Sequence, residues 1–292
     1  MMGDLKHLLE SMRPIAAYDA KERITHLRLD RWIDYPRAAR VLHLLDEMHE
    51  TPQRNRMPCL LLHGDSGMGK SMIIAKFRRA HPAVYDRKTG IEHHSVIAME
   101  MPASPSQRRF YAQLLQAINA PYRPSDRLEA LEFTTIRLLT AMQPRMLFVD
   151  EIHNLLSGTP REQRAALNLL KSLSNKLNCC IVVSGTQDAL VALQSDDQMV
   201  SRFRPFELAR WHENDEFRGF VQAFEKTLPL RLKSSLGEQP MVQALLAASH
   251  GVTGSIAEVL AGAARAALRI GTERITVELI RAEAGLLTAA VA

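Results

Sequence analysis

The chain has 292 residues, a net charge of +5 and a hydrophobic fraction of 46%. This length and apolar content exclude a disordered or fibrous chain and favour one large globular domain or two smaller ones. No apolar run reaches the ~18 residues that a membrane-spanning helix needs. The three cysteines lie in apolar runs without the spacing of a zinc site or a disulfide framework. We therefore expect a soluble, cytoplasmic protein with no membrane partner.

The N-terminal part, residues 1–55, predicts a helical arm that leads into the core. Apolar residues recur at helical spacing between Arg37 and Glu50. A bend is expected just before this helix, where two aromatic residues and Pro36 stand close together.

Residues 57–71 form the strongest motif of the sequence. An apolar run ends at His63, a helix-like stretch follows Ser71, and the residues between match the pattern G-x-x-x-x-G-K-[ST] of a phosphate-binding loop. Glycines let backbone N–H groups approach a polyphosphate, the lysine reaches the β and γ phosphates, and the hydroxyl holds Mg²⁺. The motif predicts a strand, a loop and a helix that bind ATP and Mg²⁺. The predicted cofactor-binding residues are Gly64, Asp65, Ser66, Gly67, Met68, Gly69, Lys70 and Ser71.

Two interpretations fit the segment upstream of this loop. In many P-loop ATPases the residues before the first strand pack on the adenine, so Ile33, Tyr35 and Pro36 are candidates for a base pocket. The alternative is an ordinary hydrophobic anchor for the N-terminal arm.

The stretch after the loop carries the excess of positive charge. Residues 61–125 contain nine Lys and Arg against four Asp and Glu, whereas the flanking parts are close to neutral. Within it, residues 81–94 are polar and turn-rich, a strand is predicted at 95–101, and helices at 107–119 and 126–142. Such a basic stretch is either a solvated face or a track for nucleic-acid phosphates.

A second motif, Asp150 followed by Glu151, comes directly after the apolar run 146–149. The apolar run predicts a buried parallel strand, and acidic residues at its carboxyl end lie where open α/β sheets bind ligands. Asp150 would hold Mg²⁺ through water, and Glu151 would orient and polarise the water that attacks the γ-phosphate. An acidic pair after a strand is a weak signal alone, but it becomes strong after a phosphate loop with a further strand between.

The next predicted strand, 178–186, ends in hydroxyl residues at the same edge. Thr186 or Ser184 would sense the γ-phosphate there, although polar strand ends are common. Arg202 and Arg204 enter the last predicted strand, and either is a candidate arginine finger for the site of a neighbouring subunit. The alternative for these arginines is a surface ion pair.

From His212 onward the pattern predicts only helices, which form either a simple cap or a lid that moves with the nucleotide. The predicted organisation has three parts: a helical arm (1–55), an α/β nucleotide-binding domain (56–210) and a helical lid domain (211–292).

This combination of features resembles the AAA+ ATPases, whose fold is α/β: a P-loop parallel sheet flanked by helices, with a small C-terminal all-helical lid. More narrowly, the stretches 185–190 and 201–204, the segment 32–36 and the turn 251–254 resemble the TniB/TnsC family of transposition regulators. The resemblance covers nearly the whole chain.

One position departs from that family. Members often carry a basic residue directly after the second glycine of the lid turn, where this chain has Ser255. Nucleotide sensing through the lid is then weak, or Arg265 carries it.

The resemblance implies an ATP-dependent regulator of DNA transposition. In that family, ATP-bound subunits assemble head to tail into rings or filaments on double-stranded DNA, recruit a transposase and a TniQ-type target selector, and disassemble on hydrolysis. The basic stretch would then face DNA without reading its sequence, because phosphate contacts position a protein without specifying bases. The candidates for phosphate contacts are Lys88, Arg108, Arg109 and Arg123.

Two other function classes stay open. A helicase or translocase would use the same site to move along nucleic acid, but no helicase motif accompanies the two nucleotide motifs. A nucleotide-switched scaffold without a DNA role would leave the basic stretch unexplained.

Overall fold

The computed structural model describes residues 5–104, 106–194 and 197–291. The chain divides into two compact units. Unit 1 contains Met1–Ala39, Gly67–Gly69 and Ala209–Ala292, and unit 2 contains Arg40–Ser66 and Lys70–Leu208. The predicted domain boundaries at residues 55 and 210 stay predictions.

The regular elements follow the predicted order closely. The strands are β1 (Cys59–His63), β2 (Val84–Asp86), β3 (Ile91–His93), β4 (Val96–Glu100), β5 (Met146–Asp150), β6 (Cys180–Gly185) and β7 (Phe203–Glu207). The α-helices are α1 (Arg13–Ala17), α2 (Ala20–His26), α3 (Pro36–Glu50), α4 (Lys70–Ala80), α5 (Gln107–Ala117), α6 (Leu128–Met142), α7 (Pro160–Leu177), α8 (Asp188–Gln194), α9 (Asp197–Val200), α10 (Asp215–Glu225), α11 (Gln239–Ser249), α12 (Thr253–Ile270) and α13 (Val277–Val291). Short 3₁₀ helices lie at Leu5–His7, Glu10–Met12 and Ile152–Ser157.

Five strands of unit 2 form a parallel sheet in the order β4-β5-β6-β1-β7. Every residue of β1 and β6 is buried, as expected for central strands that are covered on both faces. The strand β7 lies at the edge of the sheet, where Pro205 is tolerated because no further strand needs its missing N–H. The predicted fold class is confirmed by this sheet, its flanking helices and the C-terminal helices.

Alternate residues of the strands face two apolar layers. On one face, Leu61, Leu147 and Val183 belong to a buried core that includes side chains of α5, α6 and α7. On the other face, Phe77 of α4 contacts Phe148 of β5, with ring centroids 5.7 Å apart. Because the strands are parallel, the carboxyl ends of β1, β5 and β6 meet at one edge of the sheet.

The polar stretch 81–94 is more regular than its sequence indicates. The strands β2 and β3 pair antiparallel as a hairpin. Each strand has three residues and no buried position, so neither length nor an apolar pattern marked them in the sequence.

Unit 1 is helical, as predicted for its C-terminal part. Its described residues from 209 to 291 form helices and connecting turns, with α11, α12 and α13 in mutual contact and α2 of the N-terminal part against α12. Arg23 of α2 is 2% exposed and forms two 2.7 Å hydrogen bonds with Glu273. The N-terminal helices are thereby fixed within this unit.

Within the described part of the chain, no single helix is long and apolar enough to cross a membrane. The pair formed by α11 and α12 meets that test together by length and composition, although a bend of 117° separates the two helices.

Candidate functional site

The loop after β1 turns sharply where the sequence places its glycines. Gly64 has a φ of +152°, and a Cβ at this residue would lie 2.4 Å from the carbonyl oxygen of Leu208. The chain stays this close because the Leu208 N–H donates to the carbonyl of His63 at 2.7 Å. Only glycine allows this approach, so the first glycine of the motif is required by the packing of the loop itself.

Lys70 is the first residue of α4 and is only 6% exposed. Its Nζ donates to the carbonyls of Gly64 at 2.8 Å and Asp65 at 2.9 Å. Burial lowers the pKa of Lys70, and the nearby charges of Asp150, Glu151 and Asp65 act in the opposite direction. The ammonium group is thus held in the loop by neutral acceptors that an anionic ligand would replace with a stronger partner.

Asp150, the last residue of β5, lies next to the start of α4. Its carboxylate accepts hydrogen bonds from the hydroxyls of Ser71 at 2.6 Å and Ser184 at 2.5 Å, and from the backbone N–H of Glu151 at 2.9 Å. One carboxylate and two hydroxyls form an all-oxygen donor set of the kind that Mg²⁺ prefers. Ser71 and Asp150, the two predicted metal ligands, are therefore neighbours and fit that ion. The sequence had offered Ser184 only as an alternative sensor.

Glu151 has a left-handed backbone, with a φ of +56°, and its side chain is 43% exposed. One of its oxygens, Oε2, lies 3.3 Å from Nε2 of His153. The other ring nitrogen, Nδ1, is 3.4 Å from the backbone N–H of Thr186 at the end of β6. His153 was not predicted as a site residue. The only signal for it in the sequence was its position two residues after Glu151.

A second group missed by the sequence reasoning joins the ends of three strands. His63 of β1 is 6% exposed, and its Nδ1 lies 2.9 Å from the side-chain carbonyl of Gln187. The Gln187 amide donates to Glu207 of β7 at 3.1 Å. Because a carbonyl oxygen only accepts, this geometry requires the Nδ1–H form of His63.

The candidate arginine fingers lie toward the amino-terminal ends of the strands, whereas the phosphate loop follows a carboxyl-terminal end. Arg202 directly precedes β7, and Arg204 is paired in register with Leu60 of β1. The guanidinium of Arg202 donates twice to the side-chain oxygen of Asn175 at 3.3 Å, and Arg204 is exposed. Arg204 lies three residues, about 10 Å along the strand, before the end of β7, and Arg202 lies two residues further back.

The predicted DNA contacts differ in their surroundings. Lys88 lies at the turn of the β2–β3 hairpin and is exposed, as are Arg109 on α5 and Arg123 in the following connector. The guanidinium of Arg108 instead donates to the backbone carbonyls of Pro124 and Asp126. This arginine holds the connector against α5, whereas the other three present their charge to solvent.

The predicted base-contacting residues belong to unit 1. Tyr35 is buried among aromatic rings, with its centroid 5.3 Å from those of both Trp211 and Phe220. Burial raises the pKa of Tyr35 to about 12, so its hydroxyl stays protonated. Ile33 is also buried, whereas Pro36 begins α3 and is exposed. Tyr35 and Ile33 are thus anchoring side chains, and their contact with a base stays a prediction.

Within unit 1, the segment 67–69 has neighbours on two sides. A Cβ at Gly69 would lie 3.9 Å from the hydroxyl of Tyr35. The backbone N–H of Gly254, in the first turn of α12, donates to the carbonyl of Gly67 at 2.8 Å. Ser255, the residue that departs from the family pattern, directly follows this contact.

The described residues contain no group of three or more His, Cys, Asp or Glu side chains that would hold a metal ion. The three cysteines are buried and free, and burial raises the pKa of Cys179 and Cys180 to about 12 each. They are structural thiols of the sheet and not nucleophiles.

Comparisons with known proteins give a family and a fold. A family model described as "Bacterial TniB protein" matches residues 23–213, more than half of the chain. No curated protein sequence matches.

Solved structures with a similar fold include three archaeal proteins. The Aeropyrum pernix ORC1 protein in complex with DNA has a TM-score of 0.62 at 14% identity, covering 90% of this chain and 69% of that chain. Cdc6p from Pyrobaculum aerophilum has a TM-score of 0.60 at 13% identity, with coverages of 88% and 69%. The Aeropyrum pernix ORC2 protein, in ADPNP-ADP complexes, has a TM-score of 0.59 at 14% identity, with coverages of 90% and 71%. At these identities the likeness shows the fold alone.

Proposed function

The chain belongs to the TniB family, and from that premise we propose that it is an ATP-dependent regulator of DNA transposition. The observation that carries the proposal is the meeting of Lys70, Ser71 and Asp150 at the carboxyl edge of the sheet, where the two nucleotide motifs of the sequence come together. ORC2 of Aeropyrum pernix, which shares the fold, was solved with ADPNP and ADP.

ATP is proposed to bind along the loop 64–71, with its β and γ phosphates on Lys70. Ser71 and Asp150 are proposed to hold Mg²⁺, which would neutralise phosphate charge when bound. Glu151 is proposed to orient the attacking water, and Thr186 to contact the γ-phosphate. The base is proposed to contact the segment 33–36.

Assembly is proposed because both arginines lie toward the start of β7, whereas the phosphate loop follows the end of the neighbouring strand β1. Arg202 or Arg204 would complete the ATP site of the next subunit, so a head-to-tail ring or filament would hydrolyse ATP only after assembly. Slow hydrolysis would then time disassembly.

Double-stranded DNA is the proposed track for this assembly. Lys88, Arg109 and Arg123 are exposed cations on the stretch that carries the charge excess. Arg108 contributes indirectly, by holding the connector that carries Arg123. Because such contacts go to phosphates, binding is expected to be independent of sequence and to weaken with salt. The ORC1 protein with the same fold was solved in complex with DNA. The further partners proposed are a transposase and a TniQ-type target selector.

Sedimentation and electron microscopy of the purified protein test this proposal. Rings or filaments are expected only when duplex DNA and a non-hydrolysable ATP analogue are both present. Glu151→Gln is expected to give the same assemblies with ATP itself, since binding persists without hydrolysis. A protein that stays monomeric with both ligands present would overturn assembly on DNA.

A triple variant tests the basic surface. Replacing Lys88, Arg109 and Arg123 by Ala is expected to weaken DNA binding at least tenfold and to reduce its salt dependence. The matched control also removes three charges, by replacing the exposed arginines Arg137 of α6 and Arg161 and Arg164 of α7. Equal losses of DNA affinity in both variants would show that binding depends on net charge and not on this surface. Strand-coupled unwinding or movement by the wild-type protein would favour the motor class instead.

A further inference from the structure

His153 connects the proposed catalytic glutamate with the end of β6. Its Nε2 lies 3.3 Å from Oε2 of Glu151, and its Nδ1 lies 3.4 Å from the backbone N–H of Thr186. The ring belongs to the 3₁₀ helix Ile152–Ser157, which follows β5 directly. One side chain thus touches the polar ends of two neighbouring strands.

The two contacts determine the protonation form of the ring. A backbone N–H only donates, so Nδ1 must be the acceptor toward Thr186 and carries no proton. The single proton of a neutral imidazole then lies on Nε2, the nitrogen that faces Oε2 of Glu151 at 3.3 Å. An N–H group attracts an ionised oxygen more strongly than a neutral one, so the ring favours one position of the carboxylate.

The space for the ring is provided by Gly185. A Cβ at this residue would lie 3.0 Å from Nδ1 of His153 and 2.9 Å from the Cβ of Ala189. Any side chain at residue 185 would therefore move the ring away from Thr186. The glycine is required here by the packing of His153 and not by its backbone conformation.

Thr186 carries a polar side chain without a partner beside this connection. Its side-chain oxygen is buried and has no hydrogen-bond partner among the described residues. Buried polar atoms without a partner are uncommon and call for an explanation. A ligand oxygen that bound this hydroxyl after a local movement exposed it would act on the same residue whose backbone N–H contacts His153.

We propose that His153 is a positioning residue that holds the carboxylate of Glu151 for hydrolysis and links it to the state of Thr186 at the end of β6. This proposal rests on the proposed ATPase function and assigns regulation to the same site. The proposed role needs no contact between the ring and a nucleotide, and no proton needs to leave the ring. Its action is to orient Glu151 through the Nε2–H donor while Thr186 holds the other nitrogen.

Two variants of similar size separate the two contacts. In His153→Gln, the side-chain amide nitrogen takes the place of Nε2 and keeps the donor to Glu151. In His153→Asn, the shorter side chain keeps an acceptor near Nδ1 but does not reach Glu151. ATP turnover in the presence of duplex DNA is measured for both, with thermal unfolding as the check on folding.

The expected result is a separation of kcat from KM. We expect kcat to fall at least tenfold in His153→Asn with KM for ATP unchanged within about twofold, and to stay within about threefold of wild type in His153→Gln. Wild-type kcat in His153→Asn, or equal losses in both variants, would overturn the positioning role. If the wild-type chain itself hydrolyses no ATP, the proposed ATPase function falls and the positioning role falls with it.

Histidine ¹⁵N NMR decides the geometry without reference to activity. The resonance of His153, assigned by its loss in His153→Gln, is expected to show the Nε2–H form in the wild type. The signal is expected to change in Glu151→Ala. An Nδ1–H form would overturn the proposal even if ATP turnover is normal, because that form cannot accept from Thr186.

Discussion

Unit 1 and unit 2 both bury charged side chains, but the partners of those side chains differ. In unit 2, Lys70 donates to two loop carbonyls, and Asp150 accepts from the hydroxyls of Ser71 and Ser184. These partners are neutral, and Ser71 is exposed. A phosphate group or a metal ion can replace them without unfolding the chain.

The buried charges of unit 1 have partners that no ligand can replace. Glu225 is 7% exposed and accepts three backbone N–H bonds from residues 234–236, at 2.6, 2.8 and 3.1 Å. Arg23 forms a two-pronged ion pair with Glu273 and also donates to the carbonyl of Pro229. Glu225 and Arg23 thus hold loops of the fold in place.

Burial of a charge therefore does not identify a functional residue. What separates the two regions is whether the partners satisfy the charge fully or leave it weakly paired at an accessible edge. Substitution of Lys70 should therefore affect ligand binding, and substitution of Glu225 should affect stability.

The largest expected effect is that of Lys70→Ala. Loss of the ammonium group should weaken ATP binding roughly 100-fold, equivalent to about 3 kcal/mol, because a charge-assisted hydrogen bond to phosphate is lost. Thermal unfolding without nucleotide should change little. Isothermal titration with a non-hydrolysable analogue measures the affinity, and Lys76→Ala, an exposed lysine of the same helix, is the control. Unchanged affinity in Lys70→Ala would contradict the assignment.

Glu225→Ala should lower the stability of the fold and leave nucleotide binding unchanged, the reverse of Lys70→Ala. Removing the carboxylate leaves three backbone N–H groups without their acceptor, so the free energy of unfolding should fall by about 3 kcal/mol. Nucleotide affinity of the folded fraction should stay at the wild-type value. Urea denaturation measures the loss, with Glu258→Ala on the exposed side of α12 as the control. Equal stability of the two variants would show that the carboxylate does not hold residues 234–236.

Gly251→Ala tests the turn before α12 against a glycine with the same backbone angle. Gly251 has a φ of +73°, and a Cβ there would lie 2.3 Å from the carbonyl oxygen of Trp211. Gly271 has a φ of +76° with open space around it. Alanine should cost about 1 kcal/mol at Gly271 from the backbone alone and about 2 kcal/mol or more at Gly251, where the Trp211 backbone must also move. Thermal unfolding of both variants measures the difference, and equal losses would exclude the close contact.

The phosphate loop and the Asp150–Glu151 pair were predictable because both motifs lie directly after apolar runs. Parallel strands place their carboxyl ends at one edge, so two motifs 80 residues apart in the sequence meet in space. The fold class followed from the same argument. The domain boundaries and the roles of individual site residues stay predictions.

The contacts missed from the sequence depend on side-chain packing. Nothing in the pattern of residues places His153 on Gly185, because that contact needs the positions of two strands. The same holds for the three backbone N–H groups that gather around Glu225, since a contact through the backbone of residues 234–236 leaves no mark in the sequence. The β2–β3 hairpin was missed because its strands are short and polar.

The smallest expected effect is a pH dependence in unit 2. The ring of His49 lies 4.4 Å from that of His81, and its Nε2 is buried without a partner in the described part of the chain. Burial and the positive charges of His81 and Arg145 lower the pKa of His49 below its ordinary value of 6.5, against the opposite action of Asp46 and Glu50.

Proton linkage determines the direction in which stability changes with pH. The folded state binds this proton less readily than the unfolded chain, so the stability that the neutral ring contributes is present above pH 6.5 and is lost as the pH falls through the folded pKa. His49→Phe removes the titrating group and keeps an aromatic ring, so its melting temperature should fall less than that of the wild type between pH 7.5 and 5.5.

His43→Phe is the matched control, because His43 lies exposed on the same helix and pairs with Glu47 at 3.3 Å. It should keep the wild-type slope of melting temperature against pH. If His49→Phe kept that slope as well, the acid sensitivity would come from other groups, and burial of this ring would carry no proton linkage.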